Sequence, residues 1–171
     1  MLYLLDANIL INAKNQYYPI DRVPEFWAWL IHQGEQGQVK IPIEIYEEFK
    51  DTKPKDGEKD SLAVWADQPD TKAALLFTEE ADPALVQQVT YNGYLANPTD
   101  VDIAKLGRDP FLISYGLVDP DDRVIVTAEV SKPRAQGSNR KVPDVCDSLG
   151  VKHINGFQLI QELDFRTGWR G

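Results

Sequence analysis

The chain has 171 residues, of which 43% are hydrophobic and 26% charged, and this is enough apolar material for one compact core. We therefore expect a single domain over residues 1–171. No stretch approaches the roughly 20 apolar residues that cross a bilayer, and no signal peptide begins the chain, so a cytoplasmic protein without membrane contact is expected. One cysteine and two histidines exclude an internal disulfide and a Cys/His zinc site.

The net charge of −9 is distributed unevenly along the chain. Residues 1–129 hold 11 basic and 23 acidic side chains, whereas residues 130–171 hold 7 basic and 4 acidic ones. An acidic chain departs from the usual composition of a nucleic-acid-binding protein. The asymmetry indicates a cation site among the acids and an anion site in a basic loop, whose cationic residues are Lys132, Arg134, Arg140 and Lys141.

Four short apolar runs are typical of strands buried on both faces of a parallel sheet. They cover residues 1–5, 39–43, 124–127 and 151–154. The alternation of these runs with helical patterns predicts an α/β domain in which helices flank a parallel sheet. The helical patterns lie at residues 24–33, 43–50, 61–67, 83–95, 110–117 and 157–163, and two polar loops are expected at 51–60 and 132–141.

The first long helical pattern, at residues 24–33, carries an apolar stripe that includes Phe26 and Trp27. Trp29 lies off this stripe, so we expect it to be exposed, as part of a surface for a partner. The single cysteine, Cys146, is expected to be a small buried apolar residue.

Several acidic residues follow the predicted strands or begin the helices next to them. In open α/β sheets the ligand site lies beyond the carboxyl ends of the strands, so these acids are expected to share one edge of the sheet. Their mutual repulsion favours a bound cation, and Mg²⁺ or Mn²⁺ prefers oxygen ligands. The acids are Asp6, Glu44, Glu47, Glu48, Asp109 and Glu129.

Each of these acids also has a purely structural interpretation. Asp6 and Asp109 stand where helix-capping residues are common, and Pro110 after Asp109 is typical of a helix start. The three glutamates lie in the first turns of a helix, where the dipole favours negative charge. The combination of acids, rather than any one of them, supports a site.

Four segments resemble, in order, the motifs of the PIN-domain family. LLDANILI at residues 4–11 is similar to its first motif, and IPIEIYEEF at 41–49 is similar to its second, which selects Glu48 before Phe49. DPFLISYG at 109–116 and VIVTAE at 124–129 resemble the third and fourth. The closing VKHINGFQLIQEL looks like the family's last strand and helix, so the resemblance covers nearly the whole chain.

This resemblance implies a single PIN-like domain, an α/β/α sandwich, acting as a metal-dependent endoribonuclease with Mg²⁺ or Mn²⁺. Such proteins are often the toxin of a bacterial toxin–antitoxin pair, so RNA, an antitoxin protein and a second copy of the chain are the expected partners. The implied metal-site and catalytic acids are Asp6, Glu48, Asp109 and Glu129, with Asn8 and Thr127 as supporting hydrogen-bonding groups. The basic residues Lys132, Arg134, Arg140 and Lys141 are expected to contact the phosphate backbone of the substrate, with a solvated loop as the alternative.

Two departures from the family pattern leave alternatives open. The fourth acid is Glu129 rather than the commoner Asp, and it is followed by a basic loop and KVPDVCDSLG, which suggests a divergent branch rather than a standard VapC-type toxin. Asp144 in that segment is either an additional site acid or a helix N-terminal acid. The number of metal ions, a role for Glu44 or Glu47 in place of Glu48, and a catalytically inactive binding or scaffold module also stay open.

Overall fold

The structure is a computed structural model that describes residues 1–50 and 60–171. Within these residues it forms one α/β domain of the α/β/α sandwich type, as predicted, around a five-stranded parallel sheet. The polar loop predicted at residues 51–60 lies outside the described residues except for Asp60. The strands are β1 (Leu2–Leu5), β2 (Val39–Pro42), β3 (Leu76–Phe77), β4 (Arg123–Val126) and β5 (Lys152–Ile154).

The strands lie in the order β3-β2-β1-β4-β5, so the chain first builds outward from β1 in one direction and then in the other. Because crossovers between parallel strands are right-handed, the helices that precede β3 are expected on one face of the sheet and those between β3 and β5 on the opposite face. The point where the order reverses lies between β1 and β4, which pair along Leu2–Leu5. Ligands of open α/β sheets bind at this position, beyond the carboxyl ends of the strands.

The described helices agree with the predicted ones near their starts and differ in number. Four helices lie outside the predicted patterns, at Ala7–Asn12, Pro69–Leu75, Asp100–Leu106 and Val142–Leu149. The pattern at residues 83–95 divides into an α-helix, Pro83–Gln88, and a π-helical segment, Val89–Tyr94. A second π-helical segment, Ala13–Tyr17, continues the first helix. The α-helices are α1 (Ala7–Asn12), α2 (Pro24–Glu35), α3 (Ile43–Lys50), α4 (Ser61–Asp67), α5 (Pro69–Leu75), α6 (Pro83–Gln88), α7 (Asp100–Leu106), α8 (Asp109–Val118), α9 (Val142–Leu149) and α10 (Gly156–Glu162).

Helix boundaries follow local chemistry that the sequence carries. Asp60 and Asp82 accept hydrogen bonds from the first-turn backbone of α4 and α6, and Thr99 forms a capping box with Asp102 at α7. Gly150 ends α9 with φ of 73°, a left-handed conformation that glycine adopts without a Cβ clash. None of the helices in the described residues is long and apolar enough to span a membrane.

The expectation that Trp29 is exposed was wrong. Its side chain is only 1% exposed, because the C-terminal segment after α10 covers that side of α2. The Phe165 ring lies 5.0 Å from the ring of Trp29 and 5.5 Å from that of Phe26. A stripe on a single helix does not reveal this second packing partner, which is far away in sequence. Cys146 is fully buried, as predicted.

Candidate functional site

Asp6 lies at the point where the strand order reverses, at the carboxyl end of β1. Its backbone N–H donates to the carbonyl of Val126 in β4 at 2.9 Å, which joins the two strand ends. The carboxylate accepts hydrogen bonds from Thr127 Oγ1 at 2.8 Å and from Asn8 Nδ2 at 2.7 Å. Although Asp6 occupies the N-cap position of α1, its side chain makes no capping hydrogen bond there. Its carboxylate is therefore held by Thr127, just after β4, and by the side chain of Asn8 in the first turn of α1.

Asn8 and Thr127 form the network that orients this carboxylate. Asn8 Oδ1 accepts a hydrogen bond from the backbone N–H of Ala128 at 2.8 Å, and Thr127 Oγ1 accepts one from the N–H of Glu129 at 3.2 Å. Because these bonds use backbone groups just after β4, they fix the position of Glu129 relative to Asp6. The two side chains thus make the contacts expected of supporting groups.

The charges of neighbouring acids act on Asp6 and Asp109 at this edge. Burial raises the pKa of Asp6 from 3.8 to about 6, against the hydrogen bond from Thr127, and the charges of Glu48 and Glu129 raise it further. Burial raises the pKa of Asp109 from 3.8 to about 8, and Asp6, Glu129 and Glu48 add to the shift while Lys141 opposes it. Asp6 and Asp109 therefore lie within electrostatic range of each other and of Glu48 and Glu129.

The three glutamates of α3 have different environments, and only Glu48 acts on Asp6 and Asp109 in this way. Glu44 accepts hydrogen bonds from the Tyr115 hydroxyl at 3.1 and 3.3 Å. Glu47 pairs with Arg108 at 3.3 Å on the surface. Burial raises the pKa of Glu48, and the charge of Arg108 lowers it. The structure thus distinguishes Glu48 from Glu44, which helical spacing puts on the same face, and from Glu47.

Asp6, Glu48, Asp109 and Glu129 form what we call the acidic edge. Glu129 connects this edge to the start of α9. Its Oε2 accepts a hydrogen bond from the backbone N–H of Val142 at 2.8 Å, and its Oε1 lies 3.6 Å from Lys141 Nζ. The helix dipole favours a carboxylate at this position. Glu129 is therefore anchored without losing its proximity to Asp109.

The carboxylate of Asp144 binds the loop that precedes α9. Its Oδ1 accepts a hydrogen bond from the Ser131 hydroxyl, and its Oδ2 accepts one from the N–H of Lys132 at 2.8 Å. Burial acts to raise its pKa, but these hydrogen bonds and the charge of Arg140 lower it. Both carboxylate oxygens thus hold the loop, and Asp144 does not contribute to the pKa shifts of Asp6 and Asp109.

The four predicted basic residues also separate into groups. The Arg140 guanidinium donates to the backbone carbonyl of Gly93 and, at 3.1 Å, to that of Asp144, so it ties structural segments together. Lys141 forms an ion pair with Glu129, one of the four acids. The remaining two, Lys132 and Arg134, are exposed on the loop.

The donor atoms at this edge fit a hard divalent cation. They are carboxylate, amide and hydroxyl oxygens. The Cys146 thiol, on which the charges of Asp109 and Asp6 act, is fully buried, and this burial raises its pKa so that it stays protonated. Within residues 1–50 and 60–171, no group of three or more acidic, histidine or cysteine side chains is drawn together closely enough to hold an ion on its own. Mg²⁺ is usually bound by only one or two carboxylates plus water and substrate phosphate, so a Mg²⁺ site does not require three protein carboxylates in one cluster.

The fold and this edge define a class: a doubly wound α/β domain with an acidic site where the strand order reverses. The family model described as "Domain of unknown function (DUF4411)" matches residues 3–167. The chain therefore belongs to this family. Comparison with curated proteins and with solved structures found no match.

Proposed function

We propose that this protein is a metal-dependent endoribonuclease that hydrolyses phosphodiester bonds of RNA with Mg²⁺ or Mn²⁺. The observation that carries this proposal is that Asp6 and Asp109 lie within electrostatic range of each other and of Glu48 and Glu129, although the four acids come from four segments of the chain. Each of them is also the acid selected by one of the four PIN-like motifs. Hydrogen bonds through Thr127 also join the Asp6 carboxylate to the backbone of Glu129.

The side chains have separate tasks in the proposed reaction. Asp6 and Asp109 are the direct ligands of the cation, and Glu48 and Glu129 orient the attacking water or a second ion. A divalent ion bound there lowers the pKa of water and neutralises negative charge that develops on the phosphate. Asn8 and Thr127 hold the Asp6 carboxylate in one orientation through hydrogen bonds of 2.7 and 2.8 Å.

The wider assignment belongs to the same proposal and rests on the motif resemblance. It includes a divergent PIN-like ancestry, a role as the toxin of a bacterial toxin–antitoxin pair, an antitoxin protein and a second copy of the chain as partners, and a cytoplasmic location. A catalytically inactive module that binds RNA would show binding without cleavage.

Glu48→Gln tests this assignment against its neighbour Glu47→Gln. Cleavage of labelled single-stranded RNA in Mn²⁺ is expected to fall about 100-fold in Glu48→Gln, because the carboxylate that orients the water or ion is lost. Glu47→Gln removes a carboxylate from the same helix that pairs with Arg108 on the surface, so it should cleave at the wild-type rate. Wild-type protein should be inactive in EDTA. Equal rates in the two variants, or cleavage in EDTA, would contradict the proposal.

Lys141→Ala is expected to weaken RNA binding and to reduce its salt dependence by about 0.7 in the log–log slope, as loss of one single-strand phosphate contact does. Arg140→Ala should instead lower the melting temperature, because its guanidinium joins the carbonyls of Gly93 and Asp144. Fluorescence anisotropy at several salt concentrations measures the first effect, with Lys72→Ala on α5 as the control. An unchanged slope in Lys141→Ala would remove Lys141 from the RNA-binding surface.

A further inference from the structure

A groove opens beside the acidic edge, between the first helical segment of the chain and α10. Its volume is about 430 Å³, within the range of roughly 300–1,000 Å³ that is usual for small-ligand sites. One wall comes from α1 and the π-helical segment Ala13–Tyr17, one from α10, and one from the residues that follow β4. We call it the aromatic groove, and its lining includes Asn12, Tyr17, Glu129, Asn155 and Phe157.

Glu129 belongs both to the acidic edge and to the lining of the aromatic groove. The Thr127 hydroxyl donates to the Asp6 carboxylate at 2.8 Å and accepts a hydrogen bond from the N–H of Glu129 at 3.2 Å. Ala128, which also lines the groove, donates its N–H to Asn8, and Asn8 in turn donates to Asp6 at 2.7 Å. The groove and the acidic edge are therefore adjacent parts of one hydrogen-bonded surface.

Two aromatic rings are open to solvent at this groove. Tyr17 is 49% exposed and Phe157 is 50% exposed. Their ring centroids lie 5.0 Å apart and their planes are inclined at 77°, so the rings form two walls instead of one stack. Unstacked bases of single-stranded RNA stack on exposed aromatic side chains of this kind.

Besides the tyrosine hydroxyls, the polar side chains of the groove are two carboxamides and one carboxylate. No cationic side chain lies among the described residues that line it, so a phosphate group has no ion partner in the groove itself. Asn12 makes no capping hydrogen bond, and Asn155 uses its Oδ1 for the N–H of Gln158, which leaves its Nδ2 as a donor. Carboxamides of this kind pair with the edges of bases. A purely apolar ligand would instead bury them without hydrogen bonds, which is unfavourable.

We propose that the aromatic groove binds a nucleobase of single-stranded RNA whose phosphate lies at the acidic edge. This inference rests on the proposed function, since the acidic edge is the place where the scissile phosphate is held. The base stacks against the pair of rings formed by Tyr17 and Phe157, and its polar edge forms hydrogen bonds with Asn12 and Asn155. The groove thus binds the nucleotide next to the scissile bond, and the acidic edge supplies the chemistry.

The 5′-monophosphate of 2-aminopurine riboside is the probe that tests this assignment. Its emission is quenched when the base stacks, and it has no phosphodiester bond to cleave. With Mg²⁺ present, wild type should bind it with quenching. Tyr17→Ala and Phe157→Ala should each weaken this binding about 10- to 100-fold, the effect of losing one aromatic stacking partner. Tyr17→Phe keeps the ring and should bind as wild type does.

Tyr91→Ala is the matched control. Tyr91 is 48% exposed and also lies in a π-helical segment, Val89–Tyr94, but it does not line the groove. Its removal should therefore leave the affinity for the probe unchanged. The rise in melting temperature caused by Mn²⁺ should be the same in every variant as in wild type, because the acidic edge stays intact. Ribose 5-phosphate, which lacks the base, should bind equally to wild type and Tyr17→Ala.

The outcomes separate this inference from the proposed function. If wild type does not cleave RNA but binds the probe in a manner that depends on Tyr17, the ribonuclease proposal fails and the base site stands. If wild type cleaves RNA and both alanine variants bind the probe as tightly as wild type, the base site is overturned and the ribonuclease proposal stands. Absence of probe binding and quenching in wild type also overturns the base site, and leaves the groove to an apolar segment of a protein partner.

Discussion

Asp109→Asn is expected to lower RNA cleavage about 100- to 1,000-fold while RNA binding stays intact or becomes tighter. The substitution keeps the shape of the side chain but removes a cation ligand, and it also deletes a negative charge near the phosphate. The measurement is cleavage and binding of one labelled RNA in Mg²⁺ or Mn²⁺, with proteins purified in parallel. Asp100→Asn, at the exposed start of α7, is the control. Equal activity in Asp109→Asn and wild type would require the hydrolase proposal to be withdrawn.

The same variant has a predicted effect on stability that depends on pH. The folded pKa of Asp109 is about 8 and its ordinary value is 3.8, so between these limits the native state keeps a proton that the unfolded state loses. The contribution of protonated Asp109 to the free energy of unfolding is therefore fully present below pH 3.8, and it is lost as the pH rises toward 8. Without divalent ions, Asp109→Asn should gain about 1–3 kcal/mol at pH 8 relative to wild type, and little at pH 4. For a domain of this size this is a rise in melting temperature of roughly 2–12 °C, which differential scanning calorimetry resolves.

Mn²⁺ or Mg²⁺ is expected to raise the melting temperature of wild type, and Asp6→Asn should abolish this rise. A ligand at 100 times its Kd stabilises the native state by about 2.7 kcal/mol, or roughly 5–11 °C for a domain of this length. Asn at position 6 keeps an oxygen that accepts the hydrogen bond from Thr127, so the fold should persist. Asp100→Asn should respond to metal as wild type does.

The metal effect should be larger at pH 8 than at pH 5.5. Protons compete with the cation for carboxylates, and the pKa values of Asp6 and Asp109 are about 6 and about 8. Lowering the pH through this range therefore protonates the ligands before the rest of the fold is affected. If millimolar Mn²⁺ leaves the melting temperature of wild type unchanged at pH 8, the acidic edge is not a metal site.

Local patterns in the sequence determined the elements that are regular and buried. Four of the five strands were predicted because a strand covered on both faces is a continuous apolar run. β3 was not, because Leu76–Phe77 has only two residues, too few for a pattern. Asp6 and Thr127 were placed at strand ends for the same local reason, and parallel pairing of β1 with β4 brings such ends to one edge.

Only the tertiary structure decided which polar side chains share an environment. Helical spacing puts Glu44 and Glu48 on one face, but Tyr115 binds the first, while the second acts on Asp6 and Asp109. The sequence made Asp144 and Arg140 candidate site residues. In the structure, both form hydrogen bonds within the segment that leads into α9, Asp144 with Lys132 and Arg140 with the carbonyl of Asp144. Pairings of this kind depend on residues that are distant in sequence, whereas apolar periodicity reports only whether a residue faces the core.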